Sequence, residues 1–201
     1  MKKYQIIYCD PPWRFTGLGS KGIRSGKMRT DKPKLHRTIK LEEKYSTMSV
    51  EELKLLPISD LADKDCVLFL WTTDAHLPYA IEIMKSWGFD YATIGFTWLK
   101  KTNTGKQVCY YGYWTLKGVE ICLIGRKGKP KVKNHKIRQI VEAKRREHSR
   151  KPDEVRNNIV KLLGDLPRIE LFARQKIEGW DAIGNEINGQ DIRKTIENMI
   201  K

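Results

Sequence analysis

Asp10, Pro11, Pro12 and Trp13 follow directly on the apolar run "YQIIYC" of residues 4–9. A carboxylate at the carboxyl end of a buried parallel strand sits where open α/β sheets bind their ligands. Pro11 and Pro12 have fixed φ and no N–H, so they end the strand ladder and hold their carbonyls in a preset direction. Trp13 adds a broad flat face. One carboxylate acceptor, one or two rigid carbonyl acceptors and a stacking platform suit a planar ring carrying an amino group with two hydrogens to donate. The exocyclic amine of adenine is such a group, and it is a poor nucleophile because its lone pair is delocalised into the ring. Accepting one N–H at Asp10 and the other at the Pro11 carbonyl would localise that lone pair as a transition state forms. The same four letters also suit a Pro-Pro turn with Asp10 as its cap and Trp13 in the core.

The elements that must position these residues are legible as alternating patterns. "YQIIYC", "CVLFLWTT" (66–73), "GVEICLIGR" (118–126) and "RIELFAR" (168–174) read as buried strands, and "YATIGFTWLK" (91–100) as a fifth weakened by its glycine. Between them, "MSVEELKLLP" carries a capping box in Ser49 and Glu52 and stops at Pro57. "HLPYAIEIMKSWGF" puts Ala80, Ile83, Met84 and Trp87 on one face, "KPDEVRNNIVKLLG" opens on Pro152 and closes at Gly164, and "QDIRKTIENMIK" stripes Ile192, Ile196 and Met199. Strands alternating with helices predict an α/β fold, a mostly parallel sheet with helices on both faces. With 201 residues and 40% hydrophobic content, one domain over 1–201 is expected.

Charge is concentrated. The net charge is +15, with +7 in residues 14–44 and +9 in residues 127–151, leaving the rest close to neutral. Two basic blocks on a neutral body point to a polyanion, so Arg14, Lys21, Arg24, Lys27 and Arg29 in the first and Lys131, Lys133, Arg145 and Arg146 in the second are expected to hold phosphates. Both blocks lack apolar periodicity and read as loops about 30 residues or shorter, long enough to be functional. Tyr110, Tyr111 and Trp114 lie among loop glycines and fit either the core or the border of a base pocket. Cys9, Cys66, Cys109 and Cys122 show no CxxC pair and read as free, mostly buried thiols; with His135 and His148 two of them are evenly spaced, but not at the short spacing zinc sites use, so no metal is expected. No apolar run is long enough for a membrane span, and the start lacks the pattern of a secretion signal, so an intracellular protein is expected.

At the level of whole motifs the chain resembles the MT-A70 family of adenine-N6 methyltransferases, as a compact bacterial or phage-type member. The resemblance is carried in order by "DPPW", "YSTMSVEELKLLP", "LFLWTTDAHLPYAIEIMKSWGF", "TWLKKTNTGK", "GYWTLKGVEICLIGRKG", "HSRKPDEV" and "RIELFARQKIEGWDAIGNE". It implies a Rossmann-like S-adenosylmethionine methyltransferase fold with permuted motif order, the catalytic strand first and the cofactor strand late. By the same resemblance, Asp10, Pro11, Pro12 and Trp13 form the catalytic motif, and Asp10 is shared with the methionine end of S-adenosyl-L-methionine. Lys151 and Arg174 take the methionine carboxylate, Asn185 the adenine or ribose, and Glu186 the ribose hydroxyls. "LFARQKIEGW" has Gly179 alone where other methyltransferases have a glycine-rich loop, and only "MKK" precedes the catalytic strand, so Asp191 and Ile192 are expected to cover the cofactor adenine.

The resemblance further implies methyl transfer to nucleic acid without a metal, yielding S-adenosyl-L-homocysteine, with DNA favoured over RNA and a cytoplasmic setting. Reaching an amine inside a duplex requires extruding the base or acting on single strands. A non-catalytic nucleic-acid-binding partner subunit is the alternative, and retention of Asp10 to Trp13, Lys151, Arg174 and Asn185 argues against it. Cytosine or protein glutamine as acceptor fits the prolines, but Trp13 and the family-wide match argue for adenine, and the basic blocks argue against a small molecule or a neutral peptide. A monomer and a homodimer fit the sequence equally.

Overall fold

The computed structural model describes residues 2–14, 47–112, 114–146 and 150–201. Its centre is β1 (Tyr4–Cys9), bounded as the apolar run predicts and flanked on both sides by parallel neighbours. On one side lies β2 (Ala62–Thr72), and on the other β8 (Arg168–Leu171) followed by β9 (Asp181–Ile183). Beyond β2 come β6 (Val119–Lys127), β3 (Asp90–Lys101) and β7 (Ile140–Lys144), so the seven-stranded sheet runs β7-β3-β6-β2-β1-β8-β9. A short hairpin, β4 (Tyr110–Tyr111) and β5 (Leu116–Lys117), stands apart from it.

The period of two along each strand splits the core into two layers. Ile7 and Cys9 of β1 face a cluster that takes Leu53 of α1 (Val50–Lys54), Ala80, Ile83 and Met84 of α2 (Leu77–Ser86), and Ile192 and Ile196 of α5 (Ile192–Ile200). Ile6 and Tyr8 face the other cluster, with Val155, Ile159 and Leu163 of α3 (Asp153–Leu163). The short α4 (Asn185–Asn188) follows β9. Ser49 and Glu52 form the expected capping box, at 2.8 Å for the Ser49 N–H and 3.2 Å for the Glu52 N–H. Gly88 follows α2 at φ 79°, a left-handed turn that suits a residue without Cβ.

One strand runs against the rest. β6 is antiparallel to both β2 and β3, and the other strands of the sheet share one direction. Its last residue, Lys127, therefore pairs with Cys66 near the start of β2, at the edge of the sheet opposite Asp10. The basic segment that follows begins there. Lys129 N–H donates to Asp65 at 2.7 Å, and Lys133 N–H donates to Leu162 O at 2.9 Å, at the end of α3. Lys131 and Lys133 accordingly lie away from the DPPW loop, a correction to the expectation that the whole 127–151 block flanks it. The chain returns to the DPPW edge through β7, an edge strand whose charged residues hid it in the sequence, and Lys144 comes into register with Lys101. Lys21, Arg24, Lys27 and Arg29 lie outside the described residues, as does most of the first basic block.

Candidate active site

Asp10 leaves β1 at the carboxyl edge, and its Oδ2 accepts from Lys151 Nζ at 2.6 Å. Lys151 stands just before α3 and is nearly buried, with 8% of its side chain exposed. The same ammonium lies 3.2 Å from Glu120 Oε2 on β6, and the other Glu120 oxygen accepts from Lys100 Nζ of β3 at 2.5 Å. A chain of alternating charge, Asp10, Lys151, Glu120 and Lys100, thus crosses from the centre of the sheet toward β3. Burial is the largest influence on all three of the inner groups. It pushes the Asp10 carboxyl above the usual range against the pull of Lys151, whereas Glu120, flanked by Lys151 and Lys100, stays below its ordinary value. The Lys151 ammonium is held above the usual lysine value because two carboxylates outweigh its burial. Glu120 and Lys100 were not singled out in the sequence; an acid inside the apolar strand "GVEICLIG" was the available signal.

The proline carbonyls are set by backbone bonds. Pro11 O accepts from Trp13 N–H at 2.9 Å, and Pro12 O accepts from Met48 N–H at 2.8 Å. A carbonyl oxygen has a second lone pair, so the Pro11 acceptor direction survives this turn. Arg14 N–H donates to Met48 O at 3.1 Å, and the Arg14 guanidinium donates to Thr47 O at 3.0 Å and lies 3.6 Å from Glu52. Arg14 therefore ties the DPPW loop to the capping box of α1, with its side chain 39% exposed.

Trp13 departs from its expectation as an open stacking wall. Its ring is only 6% exposed, its Nε1 donates to Trp71 O at 3.2 Å, and it stacks on His76 with centroids 5.0 Å apart. The indole needs a buried acceptor for its N–H, and the end of β2 supplies one. His76 is itself buried, its Nδ1 2.9 Å from Thr73 Oγ1, and burial holds its pKa below the usual histidine value. It was missed because a lone histidine in "TTDAHLPYA" carries no spacing signal.

At β8 and β9 the carboxyl edge changes character. Phe172 takes φ 58° directly after β8, turning the chain sharply, and a Cβ on Gly184 would lie 2.3 Å from Ala173 O. These close approaches bring Arg174 beside Glu186, with Nε 3.6 Å from Oε1, while Arg174 also acts on Asp10 from a distance and pulls its pKa down. Asn185 and Glu186 are exposed at the start of α4. Acceptors at Asp10, Asn185 and Glu186 and a cation at Arg174 thus run along three adjacent strands, about 10 Å from β1 to β9. That strip presents three acceptors and one cation to a polar ligand lying across the strand ends. Lys151 is engaged with the two site carboxylates. Asp191 caps α5 by accepting from Arg193 N–H at 2.8 Å and is itself exposed, and Ile192 is 3% exposed within the core.

Of the second basic block, Arg145 and Arg146 do reach this edge. Arg145 Nη1 donates to the Tyr110 hydroxyl at 2.7 Å, and Arg146 pairs with Asp153. Cys9, Cys66 and Cys122 are buried and Cys109 is exposed, and among the described residues no three His, Cys, Asp or Glu side chains gather as a metal would need. Among the described residues no helix is long and apolar enough to cross a membrane.

A mostly parallel sheet covered on both faces, with its charged cluster at the carboxyl ends of its central strands, is a Rossmann-like α/β architecture of the methyltransferase type. Residues 4–186 match the MT-A70 family. The chain belongs to that family, an adenine-N6 methyltransferase family. It is 37% identical over 202 residues to the Type II methyltransferase M.MunI of Mycoplasma, covering 92% of this chain and 78% of that protein. It is 30% identical to the N(6)-adenosine-methyltransferase MT-A70-like protein of Drosophila melanogaster and 29% identical to the human N(6)-adenosine-methyltransferase catalytic subunit METTL3. In both, 93% of this chain is matched but it spans only 27% and 29% of the relative's length.

Proposed function

We propose that this protein transfers a methyl group from S-adenosylmethionine to N6 of adenine in nucleic acid, with DNA preferred to RNA, in the cytoplasm. The observation that carries the reading is Asp10, held at the carboxyl end of β1 by Lys151 at 2.6 Å, beside the proline carbonyls. Asp10 accepts one N–H of the target amine and the second lone pair of Pro11 O accepts the other. Both acceptors are held before substrate arrives, so polarising the amine needs no reorganisation. Lys151 fixes the Asp10 rotamer and favours its carboxylate against burial. Arg174 would hold a methionine carboxylate, and Asn185 and Glu186 would accept from ribose hydroxyls. When bound, the cofactor supplies a sulfonium-activated methyl group, and the task of these side chains is alignment to near-attack distance. The higher identity to the Type II methyltransferase, over more of its length, supports DNA over RNA.

Incubation with labelled cofactor and DNA or RNA, single-stranded or duplex, followed by nucleoside analysis, tests this. The expected product is N6-methyl-deoxyadenosine. Label in N6-methyladenosine alone would reverse the DNA preference, and cofactor binding without label in any nucleic acid would favour a non-catalytic partner subunit.

A further inference from the structure

The β4–β5 hairpin has the largest exposed aromatic surface of the described residues. Tyr111 is 99% exposed, Trp114 89% and Leu116 62%. Solitary exposed apolar side chains are ordinary, but adjacent aromatics on one small hairpin mark a contact surface. The hairpin is stitched in place. Lys100 N–H donates to Gly118 O at 3.0 Å and Val108 N–H to Lys100 O at 2.8 Å, and a Cβ on Gly118 would lie 2.2 Å from Val108 O, so this closure needs glycine. Lys117 pairs with Asp74 at 2.6 Å, just after β2, which pins the hairpin over the same carboxyl edge as Asp10.

Cations border the third aromatic of the hairpin, Tyr110, where β4 begins. Tyr110 has Lys100 Nζ and the Arg145 guanidinium each 5.5 Å from its ring centroid, and Lys100 continues through Glu120 and Lys151 to Asp10. Beside it an open groove of about 580 Å³ is lined by Lys101, Thr102, Asn103, Thr104, Arg145 and Arg146. Glu142 pairs with Lys101 and Asp153 with Arg146, while Arg145 bonds a neutral phenol. Exposed aromatic faces next to a basic, hydroxyl-lined groove match a single strand of nucleic acid, whose bases stack while its phosphates track the cations.

We propose that the β4–β5 hairpin is the platform on which bases adjoining the target adenine stack, at Tyr111 and Trp114, while Lys101, Arg145 and Arg146 take their phosphates. This rests on the nucleic-acid reading of the active site and extends it. It also gives that site a means of holding unpaired bases beside the one in reaction.

The test is fluorescence anisotropy of a labelled, adenine-containing single-stranded DNA with the full chain. Tyr111→Ala with Trp114→Ala should weaken binding about tenfold or more, and Tyr111→Phe with Trp114→Phe should restore it, since stacking needs the ring and not its polar group. The slope of log affinity on log salt should be unchanged in the alanine pair. In Lys101→Gln with Arg145→Gln it should fall by about 0.7 for each phosphate that the variant no longer neutralises. Binding of the alanine pair within about twofold of the parent would overturn the proposal, as removing a stacking platform costs more than this. So would an alanine pair that turns a dimer into a monomer in sedimentation with strand affinity intact, which would make the hairpin a contact between copies. Methyl transfer by the parent protein is measured separately: its absence rejects the catalytic reading, whereas the anisotropy decides the platform.

Discussion

Lys151 and Arg156 come from one stretch of chain, just before and within α3, and each meets a carboxylate of the central strands, yet the two pairs are built differently. Arg156 lays its guanidinium fork on both oxygens of Glu170, at 2.7 and 2.6 Å, and adds Asp153 at 2.8 Å. Both partners are almost fully covered, and the pair is closed. Lys151 brings a point charge to one oxygen of Asp10, whose side chain stays 32% exposed at the edge of the sheet. The first arrangement satisfies its carboxylate completely and locks α3 to β8. The second restrains its carboxylate and leaves an approach to it.

The cations of both pairs are held above their ordinary values by their partners, and the burial of Asp10 adds a cost of its own. Burial raises Asp10 above its usual range despite Lys151, so the folded protein disfavours the ionised form that accepting an amine N–H requires. By linkage, that ionised form subtracts stability above the raised value, and protonation relieves the cost as pH falls through it. The Arg156 guanidinium is likewise pushed up by its partners and keeps its charge throughout the accessible pH range. Asp10 is thus a charge that the fold tolerates at an open edge, and Arg156 with Glu170 one that it encloses.

The largest effect that would break this comparison is on turnover. Asp10→Asn should lower methyl transfer about 10³-fold while thermal unfolding shows a melting temperature unchanged or raised. Near-normal turnover, or a marked loss of stability, would merge the two pairs into one class. Glu170→Ala should do the reverse, costing about 3 kcal/mol in urea unfolding because it strips the buried Arg156 fork of its bidentate partner and leaves Asp153 as its carboxylate. Arg156→Met with Glu170→Leu should recover most of that loss; failure to do so would mean the pair orders more than its own surroundings.

A subtler outcome sharpens the role of Lys151. Under the proposed mechanism activity needs ionised Asp10, so the rate should be lost as pH falls through its raised pKa. Lys151→Gln removes the cation that restrains this rise, and the acid limb of the pH–rate profile should move to higher pH; an unmoved limb would detach Lys151 from Asp10. The smallest effect should come from Lys131→Gln with Lys133→Gln, remote from both pairs at the opposite edge of the sheet. Turnover and strand affinity should stay within about twofold, measured beside Arg145→Gln, because long-range phosphate attraction is screened beyond about 8–10 Å.

How much could be read beforehand follows from the range of each interaction. β1, the α1 capping box and the buried faces of α2, α3 and α5 depend on neighbours a few residues apart, and their patterns survive in the letters. β7 did not show because an edge strand carries charges that read as loop. Trp13 was assigned an open face from its type, but its exposure depends on His76 and Trp71, which arrive from another strand and its following turn. The capping of α5 by Asp191 and the packing of Ile192 rest on local spacing and on the core, whereas any contact with a ligand rests on the resemblance alone.

The amino-acid sequence by itself determined the family, the alternating α/β elements, the acid after β1 and the concentration of positive charge. Those properties are local or additive along the chain. Only the tertiary structure decided which charges meet. The reversal of β6 sent Lys131 and Lys133 to one edge and brought Glu120 between Lys100 and Lys151 near the other, because the direction of a strand is settled by its pairing partners and not by its own side chains.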